Sequence, residues 1–365
     1  MAISTIGTNS LSDPIAVNAT GALTGTVNGY TPTASNMQPF NRIINGAMTV
    51  DQRNAGAAVT VNGGTQFGVD RFFGEEDTDG AFTLQQSTVV PVGFTNSLLA
   101  TITTADTSLG STQLAIIGHR IEGFNVADLN WGSVNAKTVT LSFWVRSSLT
   151  GTFGGALWNS AGNRSYPYSY TISTANTWEQ KSITLAGDVT GTWLTNNGRG
   201  ISISWSLGVG SNFQATAGVW TGGLKLAPTG ATSVIGTNGA TFYITGVQLE
   251  AGSTASSFAY ENVGDTLQKC QRYYEQDIWR AVGVNISGPT NSWVMSFKVP
   301  KRATPTFTAF STVTFQGVVA GVAQLAPSGN ENWIAGNANR AGTARDAYYV
   351  TTDGSGIGWS ASAEL

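Results

Sequence analysis

The chain has 365 residues, 41% of them hydrophobic, which is enough length for two domains and a sizeable core. Only 11% are Asp, Glu, Lys or Arg, against roughly 25% in an ordinary globular chain, so Ser, Thr, Asn, Gln and Gly must build the surface. A formal net charge of −3 offers no basic face to displace counterions from phosphates, which excludes nucleic acid as a partner. Such a surface suits an extracellular particle or burial against copies of the same chain, because hydroxyls and amides cost less to desolvate than charges. The single cysteine, Cys270, rules out an internal disulfide and is expected to lie buried on a helix. The first residues lack the Lys/Arg group and apolar run of a signal peptide, and no stretch approaches the ~20 apolar residues of a membrane span. The expectation is a protein made in the cytoplasm, without membrane insertion, that would reach the outside of a cell by lysis.

Residues 1–40 carry one charge, Asp13, and few bulky side chains. Their composition fits a disordered tail, while the spacing of Ile3, Ile6, Leu11, Ile15, Val17 and Leu23 fits an extended arm that docks on a partner. From Asn41 to Asn262 the pattern is all-β. In 138–146 (TVTLSFWVR) Val139, Leu141, Phe143 and Val145 share a face, and in 201–207 (ISISWSL) Ile201, Ile203, Trp205 and Leu207 stand opposite Ser202, Ser204 and Ser206. Both read as half-buried strands. Weaker strand signals at 82–89, 97–103, 112–117, 152–158, 168–173 and 178–185 are separated by Gly, Asn, Asp and Ser. Roughly eight to ten such strands over about 220 residues are on the scale of a double-sheet jelly roll.

The stretch 241–249 alternates with both faces largely apolar, as a strand covered on both sides would. Small residues at 252–257 then read as a surface connection. A helix is expected over 266–276, capped by Asp265 with Gln268 completing a capping box, and with Leu267, Cys270 and Tyr274 on one face. Beyond it, 293–299, 306–310, 312–319 and 347–351 again look like strands, of a small β domain whose edges call for neighbours. The predicted order is an N-terminal extended arm (1–40), a jelly-roll β-sandwich (41–262), and a short helix with a smaller C-terminal β domain (263–365).

Chemistry is sparse. His119 is the only histidine, no serine sits in a G-x-S-x-G turn, and phosphate and dinucleotide loops are missing, so His119 reads as a sheet-surface residue. Glu75, Glu76, Asp77 and Asp79 form the one carboxylate cluster. It reads as a solvated loop, with a structural Ca²⁺ site or an acid pair for glycoside cleavage as alternatives. No other cofactor is implied. Aromatic rings offer more, since sugars pack flat C–H faces on Trp and Tyr. The favoured ligand-binding loop is NRSYPYSY, in which Tyr166, Tyr168 and Tyr170 alternate onto one side and Asn163 and Arg164 supply polar contacts. In the C-terminal region Trp279, Trp333, Tyr348, Tyr349 and Trp359 could form a receptor-contacting tip or a seam between copies.

Seven short segments carry a resemblance. They are NRIINGAMTVDQR (41–53), GVDRFF (68–73), LSFWVRSS (141–148), ITGVQLEAG (244–252), FAYE (258–261), CQRYYE (270–275) and VPKRATPT (299–306). In order and spacing the chain resembles tailed-bacteriophage tail-fibre and virion-surface proteins with a jelly roll similar to carbohydrate-binding modules. The resemblance implies a non-enzymatic homotrimeric fibre or spike subunit of the virion. In this reading residues 1–40 attach to other virion proteins, and the β domains face a host-surface glycan or receptor. A capsid decoration or head-fibre protein is the close alternative; a polysaccharide depolymerase, or a bacterial glycan-binding module left from a prophage, is more distant. Within these segments Asn45-Gly46 reads as a tight turn, and Asp70-Arg71 as an ion-pairing or carbonyl-binding element anchored by Phe72 and Phe73, with a glycan contact by Asp70 as the other reading.

Overall fold

The computed structural model describes residues 16–17, 23–24, 41–278, 280–284, 290–309, 313–316, 328–339, 347–352 and 359–365. Apart from the paired strands Ala16–Val17 and Leu23–Thr24, the expected arm lies outside the described residues, as does Trp279.

Alternating sequence becomes two antiparallel sheets. The front sheet runs, edge to edge, Glu179–Leu185, Val139–Ser147, Thr241–Ala251, Ser97–Thr104, Ala81–Ser87 and Val59–Val61. The back sheet runs Thr221–Gly222, Arg164–Ile172, Gly151–Trp158, Arg199–Val209, Leu114–Glu122, Phe72–Asp77 and Gly64–Val69. Every second side chain of each faces the other sheet, and the apolar ones there form a single core. Phe143 of the front sheet meets Trp205 edge-on at 5.7 Å and Tyr170 at 5.1 Å, both from the back sheet. The expected all-β jelly-roll sandwich is the observed one.

Two expectations change. The Arg199–Val209 strand is buried on both faces, not half-buried. Ser202, Ser204 and Ser206 do point away from the main core, but they pair with Trp158, Ala156 and Ile116, and a second apolar cluster with Leu226 and Ala227 seals that side. The helix spans Val263–Gln271, starting three residues before the expected 266 and ending five before 276. Its cap is Asn262, whose side chain accepts from the Gly264 amide, while Asp265 sits inside the first turn where the helix dipole favours it. Cys270 is buried on the helix as expected. The chain then leaves the helix for the strand Tyr274–Asp277, which pairs with Trp359–Ser362, itself paired with Thr306–Ala309. Strands at Thr290–Ser296, Val313–Gln316 and Ala347–Thr352 overlap the expected 293–299, 312–319 and 347–351, the first starting three residues early.

Sandwich and C-terminal region meet through charge. Buried Glu122 accepts from Arg272 at 2.9 and 2.6 Å and from the Tyr273 hydroxyl at 2.7 Å. Arg71 stacks on the Tyr273 ring at 3.6 Å, pairs with Glu364 and donates to the Arg120 carbonyl at 2.5 Å. Arg53 stacks on Tyr274 at 3.6 Å and also pairs with Glu364, at 2.9 Å. Asp70 accepts from the Gln52 amide at 3.0 Å and is 1% exposed, which places it inside this joint and away from any solvent ligand.

Burial raises the Asp70 pKa from 3.8 to about 6, against the opposing pull of Arg53 and Gln52. The folded state therefore holds a proton that the unfolded state releases between about pH 4 and 6, so this group makes stability fall as pH rises through that window. The difference in unfolding free energy between wild type and Asp70→Asn is expected to change by on the order of 3 kcal/mol from pH 4 to pH 7. Urea unfolding of both proteins at the two pH values measures it, and parallel pH profiles would remove Asp70 as the cause.

Candidate functional site

The expected binding loop is a back-sheet strand, Arg164–Ile172. Tyr166, Tyr168 and Tyr170 do share a side, but that side is the core: Tyr168 is 1% exposed and donates its hydroxyl to the Ser204 carbonyl at 2.7 Å. Tyr170 lies between Phe143 and Phe153, and Tyr166 packs on Trp220 at 5.2 Å. Burial pushes all three phenols above their usual pKa. Facing Tyr168 across the sheet is Gly155, where a methyl group would lie 2.6 Å from the Tyr168 hydroxyl, so a missing side chain makes room for the ring. Arg164 is held by Asp188 at 2.9 and 2.6 Å, and Asn163 accepts from Asn159 at 2.7 Å. The three tyrosines thus belong to the packing of the sandwich, while Asn163 is exposed and Arg164 half-buried at the start of the strand.

The carboxylate cluster is dispersed in the same way. Glu75 and Glu76 are neighbours on the strand Phe72–Asp77 and so point to opposite faces. Glu75 stands 3.5 Å from Arg120, while buried Glu76 accepts from the Gly63 amide at 2.8 Å and the Thr78 amide at 2.5 Å. Asp77 and Asp79 are exposed. Among the described residues no group of three or more His, Cys, Asp or Glu is placed to hold a metal ion. His119, expected on a sheet surface, is fully buried and edge-on to Phe72 at 4.8 Å. Its Nε2 lies 3.2 Å from the Ile44 carbonyl, and desolvation, with Arg71 nearby, keeps the ring neutral.

The structure instead gathers half-buried rings, with the exposed Tyr260, on the outer face of the front sheet. The strand Thr241–Ala251 breaks register with its neighbour between Thr245 and Gln248, and Gly246 in the break has φ +60°. A β-carbon there would come within 2.6 Å of Phe94 and 3.0 Å of Trp144, so glycine is required by both dihedral and space. Phe94 is thus pressed onto the sheet, and it meets Phe258 at 5.2 Å and Tyr260 at 5.5 Å. Phe258 and Tyr260 are 4.9 Å apart, and the Tyr260 hydroxyl donates to the Gly93 carbonyl at 2.9 Å, leaving the ring 61% exposed in a fixed orientation.

Opposite this aromatic wall lies the NRIINGAM segment, and between them is a groove of about 190 Å³. Asn41 builds its floor by donating to the Val247 carbonyl at 2.9 Å and accepting from the Leu249 amide at 3.1 Å. Thr49, Thr95 and Glu261 place polar groups around it, with Glu261 paired to Lys269. Beyond Phe94 the same face carries Trp144, then Arg146 over Tyr243 at 4.8 Å, and Tyr243 edge-on to Trp178 at 6.0 Å. Trp144, Arg146 and Trp178 are half-buried. The exposed Tyr260 and the half-buried Phe94, Phe258, Trp144 and Trp178, set among hydroxyl and amide groups, are suited to stacking on the C–H faces of sugar rings.

None of these rings was a predicted site residue. The signal was nevertheless present: FAYE, NRIINGAM, the Trp144–Arg146 part of LSFWVRSS and the Gly246 of ITGVQLEAG were all singled out, and they converge on this one face.

No protein-family model matches the chain, and no curated protein matches it. Among solved structures it is similar to the enzymatically active domain of bacteriophage CBA120 tailspike protein 4, with 12% identity and a TM-score of 0.31, over 58% of this chain and 21% of that one. It is similar to a CBM4 structure, with 15% identity and a TM-score of 0.27, over 57% and 99% of the two chains. A family 11 carbohydrate-binding module from Clostridium thermocellum, in complex with a mixed-linked tetrasaccharide, gives 12% identity and a TM-score of 0.27, over 55% and 98%. The chain thus spans about a fifth of the length of the tailspike domain. What its own site can do follows from the geometry above.

Gly246→Ala is expected to cost about 2 kcal/mol, from the left-handed backbone and the displaced Phe94 ring. Urea unfolding reads the cost and near-UV circular dichroism the displacement of the packed rings. A neutral substitution would show that the ring row does not depend on this break.

Proposed function

We propose that this protein binds glycans without cleaving them, and that the ligand lies along the groove and ring row of the front sheet. The observation that carries this is the Phe94–Phe258–Tyr260 wall, in which packing and a hydroxyl hydrogen bond hold an exposed ring ready to stack. A second support is chemical: the groove's one carboxylate among the described residues, Glu261, is neutralised by Lys269 and has no acid partner across the cleft. A pair of carboxyl groups flanking the bond is what most glycoside cleavage needs.

The wider role we infer is that of a virion protein. Order and spacing of the seven segments support a homotrimeric tail-fibre or spike subunit attached through residues 1–40 and exposed on the particle, with a capsid decoration protein as the alternative. The scarcity of charge supports a surface shared with copies of the chain. The ligand in this reading is a polysaccharide of the host surface.

Affinity electrophoresis and calorimetry with purified host-surface polysaccharide test the binding claim. Tyr260→Ala, at an exposed position, is expected to weaken binding roughly tenfold, as the loss of one stacked ring would. Salt should change the affinity less than about twofold between ~50 and ~500 mM, since Glu261 is paired with Lys269 and Arg146 is held over Tyr243 by the Asn176 carbonyl. Unchanged affinity in Tyr260→Ala would move the ligand elsewhere, and new reducing ends during incubation would refute the non-enzymatic reading.

A further inference from the structure

On the far side of the sandwich, the back sheet carries a feature that the groove does not involve. In the strand Arg199–Val209 the register shifts between Ser206 and Gly208, and the chain swings away from its neighbour as bulges do beside many binding sites. A cavity of about 310 Å³ opens there. Ser111, Ser206, Ser211, Ser233 and Gln214 are its polar lining residues. Gln214 donates its Nε2 to the Val209 carbonyl at 2.8 Å, which turns the Oε1 into its remaining polar atom. Ser206 is 2% exposed and its hydroxyl has no hydrogen-bond partner, an arrangement that destabilises the cavity. Leu109, Val209 and Pro228 form the apolar part of the wall, and no Asp, Glu, Lys, Arg or His is among the lining residues.

We infer that this cavity is a second ligand site, specific for a single neutral sugar ring or similar cyclic polyol. The volume has room for a single ring: about 310 Å³ lies at the small end of the roughly 300–1,000 Å³ of small-molecule sites. The lining decides the charge. An ionised ligand would be desolvated against hydroxyls and aliphatic carbons with no counter-charge, whereas a neutral ring matches apolar C–H faces to the aliphatic wall and hydroxyls to the serines. Its hydroxyl would give the Ser206 side chain the partner it lacks. This site stands independently of the groove, since the two lie on opposite outer faces of the sandwich.

Saturation-transfer NMR on the full chain with methyl α-glucoside, methyl β-galactoside, methyl α-mannoside and N-acetylglucosamine, and glucuronate as the charged comparison, tests it. At least one neutral ring is expected to receive saturation. Ser211→Trp, at an exposed position on the cavity wall, should weaken binding at least tenfold by plugging the space. Ser206→Ala, nearly isosteric, should weaken it about fivefold, the value of one hydrogen bond. Tyr260→Ala should leave it unchanged. The inference is overturned if none of the four neutral rings binds, if glucuronate binds as tightly, or if the signal survives Ser211→Trp. A signal lost in Tyr260→Ala but kept in Ser211→Trp would place the sugar in the groove and overturn it equally.

Discussion

The strand Thr241–Ala251 is covered on both faces, and much of the molecule follows from how its outer face is covered. Its inner side chains, Phe242, Ile244, Val247 and Leu249, close the core. The outward ones are polar and buried, so each needs a partner that the sheet itself does not supply. Thr245 donates to the Asn96 carbonyl at 2.7 Å, which draws the 88–96 loop and Phe94 over the strand. Gln248 accepts from the Ala259 amide at 2.8 Å, which fixes Phe258 and Tyr260 on either side of that residue. Glu250 accepts from the Ser256 amide and hydroxyl, at 2.8 and 2.7 Å, and folds the connecting loop back. Gly46 receives the Val247 amide at 3.0 Å and brings in the NRIINGAM segment. The groove is therefore the outcome of satisfying one strand's buried polar groups: three separate segments are called to the same place by hydrogen bonds, and the aromatic residues of two of them arrive together.

Charge is used in the opposite way. The chain is poor in ionised groups and does not leave all of those few in water: Glu122, Arg71, Glu275 and Lys301 are buried near the junction of the sandwich and the C-terminal region. Lys301 donates to Glu275 at 2.6 Å and to the Gln271 carbonyl at 2.6 Å, so its ammonium is satisfied at both kinds of acceptor. Buried pairs of this kind contribute little net stability over an apolar substitute, but losing one partner strands a charge and is costly. They penalise misplacement more than they reward contact. That suits a joint whose segments, the helix exit at Arg272–Tyr273 and the terminal stretch at Glu364, come from distant parts of the sequence.

The fold was legible because period-two alternation survives wherever a strand has one apolar face, as in 138–146, and because the doubly apolar 241–249 could only be a central strand. The tyrosines of NRSYPYSY show the limit. Alternation establishes that Tyr166, Tyr168 and Tyr170 share a side, but a phenol is amphipathic and does not declare whether that side is wet. The deciding information was in another strand, where Gly154 and Gly155 leave space across the sheet. Ser202, Ser204 and Ser206 mislead by the same route, since a serine row reads as solvent-facing until a later segment, 211–231, lies over it. The helix start was missed because Asn262 and Asp265 are both competent caps, and the choice depends on where the preceding loop is pinned. His119 was misplaced because a lone histidine has no periodic context to betray its burial.

The groove was legible only as motifs without a geometry. FAYE carries its rings at positions 258 and 260, too short a run to show amphipathicity, and Phe94 lies more than 160 residues away in a loop of ordinary composition. Their meeting depends on hydrogen bonds between segments, which no local pattern records. The same reasoning explains why the surface rings stay exposed. A ring supported from behind by Gly246 and flanked by Trp144 loses little conformational entropy when a ligand arrives, because packing has already removed it. Recognition then needs few charges, whereas at the joint buried ions fix position and not partner choice.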